Sequence, residues 1–175
     1  MENTNETKKQ EIEKVKTTNE TNYIWRKLVE TKRYDILDLI KIAIRKLLNT
    51  NKRIKLALII NKEGDVYLKQ ILDEQKLPKT DDELIIDIFS TGEFSIMDHI
   101  KKYDNKEIED YLSKNNLLEA YEVYNNSQPQ FNDQALQFYY FVDQLNGSER
   151  EKLRNALITD LIYDYINNYE IIPYY

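Results

Sequence analysis

The chain has 175 residues, a formal net charge of −6 and no cysteine. The absence of cysteine excludes disulfides, thiolate metal sites and a cysteine nucleophile, and the length predicts one domain that can fold without covalent staples. The sequence contains neither an apolar run long enough to span a bilayer nor the apolar start of a signal peptide, so we expect an intracellular, cytoplasmic protein that does not enter the membrane.

Residues 1–19 are predicted to be a disordered tail. They contain only two sizeable apolar residues after the first methionine, and such a segment buries too little area to offset the entropy cost of ordering it. A single helical domain is predicted over residues 20–175. Its first element is a short helix that starts near Asn22, with Trp25 on the apolar face as a core anchor.

The most apolar continuous stretch, residues 34–48, predicts the central helix. At about 100° per residue, its charged residues Asp38, Lys41 and Arg45 fall on one narrow stripe, and apolar side chains cover most of the remaining circumference. A helix that is apolar on most sides is buried on most sides. We therefore expect this helix at the centre of the core, with Ile42 among its apolar, core-facing residues.

Residues 54–72 admit two interpretations. Apolar residues alternate over 54–60, and a turn containing Gly64 follows, which is typical of a β-hairpin. The same stretch contains residues that can cap and end two helices, the second over 66–76. A hairpin needs a partner sheet, and no other segment has a strand pattern. We therefore predict helices here, with an α+β fold containing one hairpin at 54–72 as the alternative.

The remainder of the chain predicts a series of capped helices. Residues 80–83 have the spacing of a capping box that opens a helix through Phe89, and residues 148–151 have the same spacing at the start of a long helix over 149–168. The apolar repeat of that long helix predicts one inward stripe of Leu153, Leu157, Ile158, Leu161, Ile162 and Tyr165. Further helices are expected over residues 96–103, with Ser95 as the N-cap, and 105–114, with Asp104 or Asn105 as the N-cap. Two more are expected over residues 117–126 and 133–145. The predicted fold class is all-α, a compact bundle of about eight to ten short helices.

No group of residues predicts catalysis, a cofactor or a metal ion. The only histidine, His99, stands next to Asp98 on a predicted helix, where adjacent side chains do not face each other. The acidic clusters lie at predicted helix starts, where the helix dipole accounts for them without a metal. Three glycines cannot supply a phosphate-binding loop. We therefore predict that His99 is structural and that the protein is not an enzyme.

The basic residues are concentrated in the first third of the chain. Residues 1–60 hold 14 Lys/Arg and 8 Asp/Glu, whereas residues 61–175 hold 11 and 23. Lys41 and Arg45 are like charges one helical turn apart, and a nearby anion would stabilise this arrangement. Five of the basic residues form a candidate nucleic-acid-binding site: Lys41, Arg45, Lys46, Lys52 and Arg53. The alternative is that these charges pair with the acidic remainder of the chain.

Tyrosines are concentrated in the last third of the chain. Tyrosine buries a large ring while keeping a polar tip, so it suits protein interfaces. Tyr169, Tyr174 and Tyr175 lie at or beyond the end of the last predicted helix. We predict that these three residues are partly exposed and contact a partner chain or a second copy.

The residue usage also indicates the kind of genome. Ile, Lys, Asn and Tyr, whose codons are AT-rich, make 71 of the 175 residues, as in many viruses and mobile elements. The sequence favours a non-enzymatic protein-interaction factor, an adaptor, inhibitor or structural subunit, that binds another protein or a second copy of itself. The alternative is a nucleic-acid-binding protein that uses the basic segment over residues 26–55.

Overall fold

The computed structural model of the chain describes most of its residues, namely 23–72, 82–127 and 133–172. They group into two compact units. Unit 1 comprises the described residues up to Glu93 together with those from Tyr169 onward, and unit 2 comprises Phe94–Asn168. The predicted disordered tail, residues 1–19, lies outside the described residues, and the prediction of one domain over 20–175 stays a prediction.

Unit 1 contains two helices followed by three strands: α1 (residues 23–31), α2 (Arg33–Leu48), β1 (Ile54–Asn61), β2 (Val66–Leu72) and β3 (Glu83–Ser90). Trp25 of α1 is buried, as the sequence predicts. The turn between β1 and β2 contains Gly64 at a φ of +85°, where a side chain would be strained. A Cβ added there would lie 3.6 Å from Cδ2 of Leu28, so α1 lies beside this turn.

The three strands form an antiparallel sheet in the order β2-β1-β3. β1 is therefore the central strand, and among the described residues neither β2 nor β3 has a second strand partner. The pairing of β1 with β3 shifts by one residue, because Leu58 lies opposite Asp87 while Ile59 lies opposite Ile85. Ile86 is the extra residue of a β-bulge in β3.

Helix α2 packs against one face of this sheet and contacts all three strands. Nζ of Lys46 donates to Oε1 of Gln70 on β2 at 2.7 Å. The predicted burial of Ile42 is wrong, since this side chain is 56% exposed. The reason is that α2 covers a sheet from one side instead of lying among helices. Its buried residues accordingly lie on one side: Ile36, Ile40, Ala43, Ile44 and Leu47.

The opposite face of the sheet carries a small apolar cluster. Its buried members are Ala57, Ile59 and Ile71, and the partly buried Tyr67, Ile85 and Ile88 pack against them. The hydroxyl of Tyr67 donates to the carboxylate of Glu83. Burial and this hydrogen bond raise the pKa of Tyr67 to about 12, so the phenol stays neutral and the bond ties β2 to β3 across the central strand.

The predicted all-α bundle is therefore wrong, and the protein has an α+β fold. Residues 54–72 form the hairpin that was the alternative prediction. The sequence of β1 alternates, but the strand is buried on both faces from Leu56 to Ile60. The predicted helix over 66–76 is strand β2 as far as Leu72, and the residues that follow Leu72 lie outside the described ranges. Three isoleucines in β3 favour a strand over the helix predicted through Phe89.

Unit 2 is helical: α3 (Ile96–Ile100), α4 (Asn105–Lys114), α5 (Leu118–Ser127), α6 (Gln134–Asp143) and α7 (Gly147–Asn167). The predicted N-caps Ser95 and Asp104 are confirmed, because each side chain accepts a backbone N–H of the first turn. The predicted capping box at Ser148 is wrong. Helix α7 starts at Gly147, and its N-cap Asn146 makes no side-chain cap bond.

The core of unit 2 is formed by buried residues from α3, α4, α6 and α7 and by Leu117, which precedes α5. Phe138 and Phe141 of α6 are its largest fully buried side chains. The predicted inward stripe of α7 is confirmed for Leu153, Leu157, Ile158, Leu161 and Ile162. None of the helices in the described part of the chain is long and apolar enough to cross a membrane.

Candidate functional site

The five predicted nucleic-acid-binding residues lie in the second half of α2 and in the loop that leads into β1. We call these five residues the basic surface. Lys41 and Arg45 are half-buried, one helical turn apart, whereas Lys46, Lys52 and Arg53 are exposed. Lys41 lies near the middle of α2, Arg45 and Lys46 lie in its last turn, and Lys52 and Arg53 follow in the loop, so all five belong to one segment of unit 1.

The loop that carries Lys52 and Arg53 is held by Thr91, the residue that follows β3. The Thr91 hydroxyl lies 2.9 Å from the carbonyl oxygen of Lys52, to which it donates, and accepts from the N–H of Ile54 at 2.9 Å. The N–H of Lys52 also donates to Oγ1 of Thr50 at 3.2 Å. These bonds fix the backbone of the loop against the sheet, so its cations project from a defined position.

The basic surface lies in a segment with few acidic residues. Residues 23–72 hold 12 Lys/Arg and 5 Asp/Glu, and residues 39–62 hold seven and none. Asp38 pairs with Lys41 at 3.8 Å, and Asp82 of unit 1 pairs with Lys62 at 3.1 Å. These two ion pairs lie toward the two ends of the acid-free stretch. A charge excess of this size attracts anions such as phosphate.

Large apolar side chains are exposed on α1 and α2. Their exposed fractions are 62% for Tyr23, 60% for Ile24, 84% for Tyr34 and 56% for Ile42. The ammonium group of Lys27 lies 5.5 Å from the centre of the Tyr23 ring. Exposed aromatic rings among cations are typical of surfaces that bind single-stranded nucleic acid, and exposed tyrosines also suit protein interfaces.

The predicted tyrosine interface is described only in part. Tyr169 is half-buried, and its hydroxyl donates to Oδ2 of Asp87 on β3 at 2.8 Å, within unit 1. Tyr174 and Tyr175 lie outside the described residues. Contact of these tyrosines with a partner chain therefore stays a prediction.

Unit 2 contains a polar network that the sequence analysis did not predict. Nε2 of His99 lies 2.9 Å from Oδ2 of Asp160 on α7, and the hydroxyl of Tyr103 donates to the same oxygen at 2.5 Å. The hydroxyls of Tyr103 and Tyr111 lie 3.3 Å apart. A carboxylate can only accept hydrogen bonds, so Nε2 of His99 carries the proton that faces Asp160.

The network changes the acidity of its members. Burial raises the pKa of Tyr103, and the hydrogen bond to Asp160 raises it further. Burial also raises the pKa of Asp160, but the hydrogen bonds from Tyr103 and His99 lower it by more, so the pKa lies below its usual range. Burial raises the pKa of Tyr111. At neutral pH, Asp160 is therefore ionised and both tyrosines are neutral.

These pKa shifts suit a network that links helices better than they suit a catalytic site. A phenol with a raised pKa is a weaker acid and does not ionise to a nucleophile near neutral pH, and a carboxylate with a lowered pKa is a weak base. His99 is buried, on α3, and its partner Asp160 is on α7. Nearby, Lys102 pairs with Asp164 of α7 at 3.3 Å. The network therefore holds the segment of α3 onto α7.

The sequence contained one weak signal for this network. His99 and Asp160 are separated by 61 residues, so no local spacing connects them. Asp160, however, stands between Leu157 and Leu161 beside the inward stripe of α7. A carboxylate at the edge of a core needs a hydrogen-bond donor from another element, and the single histidine of the chain was an available donor.

Within the described residues, no three His, Asp or Glu side chains form a group that could hold a metal ion. Comparison of the chain with protein-family models, curated proteins and solved structures finds no match. Function therefore has to be inferred from the basic surface of unit 1 and the polar network of unit 2.

Proposed function

We propose that the protein is a non-enzymatic, intracellular nucleic-acid-binding protein whose basic surface contacts the phosphate backbone. The observation that carries this proposal is the position of five Lys/Arg residues in the second half of α2 and in the loop after it. They lie in a stretch, residues 39–62, that has no acidic residue. Lys and Arg that neutralise phosphates release condensed counterions, which favours binding at low salt.

The surroundings of the basic surface support an external anion. The exposed Lys46 ammonium is bound by the neutral amide of Gln70, which positions it without cancelling its charge. Lys52 is exposed in a loop that Thr91 holds in place. A loop fixed in this way loses little conformational freedom on binding, which favours affinity.

The proposal is tested by measuring the affinity of the full chain for a fluorescently labelled oligonucleotide of about 16 nucleotides as a function of salt. We expect binding at about 50 mM salt that weakens steeply as salt rises. The triple variant Arg45→Gln, Lys46→Gln, Arg53→Gln should bind at least tenfold more weakly, and the slope of log affinity against log salt should fall by about 2.

A matched control carries the same loss of charge in unit 2. The variant Lys101→Gln, Lys106→Gln, Lys114→Gln removes three exposed lysines and should retain wild-type affinity and salt slope. Melting temperatures of both variants verify that folding is intact. Equal weakening by the two triple variants, or no binding by the wild type at low salt, would reject the basic surface as a nucleic-acid site.

The second candidate function is a protein-interaction factor: an adaptor, inhibitor or structural subunit that binds another protein or a second copy. The observation that favours it is the exposure of Tyr23, Ile24, Tyr34 and Ile42 on α1 and α2. A second copy would be detected by sedimentation at several protein concentrations. Concentration-dependent association that Ile42→Ser weakens, without a change in oligonucleotide affinity, would favour this function.

A further inference from the structure

The outer side of α2 places an exposed tyrosine in line with two cations. Tyr34, Lys41 and Arg45 are separated by seven and four residues, so on an α-helix they lie within about 40° of one another around the axis. Along the axis, Lys41 and Arg45 lie about 10 Å and 16 Å from Tyr34. The three side chains therefore form one row that leads toward the exposed cations of the loop.

Tyr34 buries little of its surface in unit 1. Its side chain is 84% exposed, the largest exposed fraction among the large apolar residues of the described chain. Ile42, one position after Lys41, is 56% exposed beside the same row. A flat ring and an apolar neighbour on a cationic helix provide a surface for the face of a nucleobase, because stacking needs an aromatic plane near a backbone-binding cation.

We infer that Tyr34 stacks on a base of a single-stranded nucleic acid whose phosphates lie along Lys41, Arg45 and the loop cations. The inference rests on the proposed function and specifies its ligand. Bases in a duplex are stacked on each other and offer no face to a protein ring, whereas single strands do. An exposed ring in line with the basic surface therefore selects single strands over duplexes.

Asp38 lies beside the same row of residues, and its substitution tests the inference independently. It lies one turn after Tyr34, and its carboxylate is 3.8 Å from Nζ of Lys41. A negative charge at this position repels a phosphate and competes for the lysine. Asp38→Asn should therefore tighten binding severalfold, a change opposite in sign to the usual effect of altering a binding surface.

The test compares Tyr34→Ala and Tyr34→Phe in the full chain, with oligodeoxythymidine, oligouridine and a duplex of equal length as probes. Tyr34→Ala should weaken binding to the single strands about 5- to 100-fold, and Tyr34→Phe, which keeps the ring, should bind as the wild type does. Duplex affinity should be the same in all three proteins. The two single strands distinguish DNA from RNA as the ligand. Tyr163→Ala, at an exposed tyrosine of unit 2, is the control and should change nothing.

Three outcomes would overturn this inference. Unchanged single-strand affinity in Tyr34→Ala, with salt-dependent binding intact, would reject stacking and leave the proposed function standing. Equal loss for duplex and single strand would show that the ring contacts the backbone. Competition by polyglutamate that is equally strong against the wild type and Tyr34→Ala would show recognition of charge alone, as for an acidic protein. Absence of all oligonucleotide binding would reject the proposed function itself.

Discussion

Replacing Ile40 by aspartate is expected to unfold unit 1. Ile40 has no exposed surface and lies on the side of α2 that faces the sheet. The substitution removes an apolar side chain and places an unpaired charge in a core, which costs several kcal/mol. A domain has a total stability of about 5–15 kcal/mol, so little or none would remain.

Ile42→Asp is the matched control, with the same chemical change two residues away on the same helix. Its side chain is 56% exposed, and surface substitutions usually change stability by less than about 0.5 kcal/mol. Circular dichroism during heating measures both variants. A cooperative transition in Ile40→Asp at the wild-type temperature would refute the placement of α2 on the sheet.

Replacing Asp160 by asparagine is expected to destabilise unit 2 by roughly 1–3 kcal/mol at neutral pH. The carboxylate accepts hydrogen bonds from His99 and Tyr103. His99 is buried and depends on this carboxylate, whose side chain is 46% exposed, and a neutral amide oxygen is a weaker acceptor than a carboxylate. Asp164→Asn is the control, because it loses only an exposed ion pair with Lys102, and such pairs contribute about 0–1 kcal/mol.

The effect of Asp160→Asn should depend on pH. The folded-state pKa of Asp160 is lowered relative to the unfolded chain, so its ionised form stabilises the fold at any pH above the unfolded value of about 3.9. That stabilisation is lost as the pH falls through the folded-state pKa. The stability difference between wild type and variant should therefore stay constant from pH 7 to about 5 and shrink below about 4. A difference that is as large at pH 3 as at pH 7 would rule out the carboxylate as its source.

The helices of unit 2 could be predicted from the sequence because their signals are local. Ser95 and Asp104 each cap a first turn through a hydrogen bond to a residue three positions away, and the stripe of α7 repeats within one helix. Such patterns are complete within about four residues, so a single sequence contains all the information they need. The failed prediction at Ser148 concerns only where α7 begins.

The sheet could not be predicted in the same way, because a strand depends on partners distant in sequence. The alternation in β1 indicates a strand, but a hairpin needs further strands to be stable, and no third strand could be recognised in the sequence. That strand, β3, was hidden because the bulge at Ile86 interrupts the two-residue period. The spacing of residues 80–83 also matches a helix start, although Glu83 begins β3 and accepts a hydrogen bond from Tyr67.

The same distinction between local and distant residues applies to the candidate sites. The residues of the basic surface could be proposed from the sequence because they lie within thirteen positions of one another, Lys41 to Arg53. Their binding to nucleic acid stays a prediction. The polar network was not, because His99 and Asp160 meet only through tertiary structure. The exposure of Tyr34 was also not predicted, because the apolar pattern of α2 predicts a helix surrounded by others in a bundle. In the structure α2 covers one face of a sheet, and residues on its other side are exposed.

The bulge in β3 also bears on how the chain avoids aggregation. In a three-stranded sheet, both outer strands present unpaired N–H and C=O groups that another copy could use to extend the sheet. An isoleucine-rich edge such as β3 is prone to this, but the register change at Ile86 breaks the even spacing that an incoming strand would need. Asp87, just after the bulge, is bound by the hydroxyl of Tyr169. One inserted residue and one tethered carboxylate thus make this edge a poor template for sheet growth.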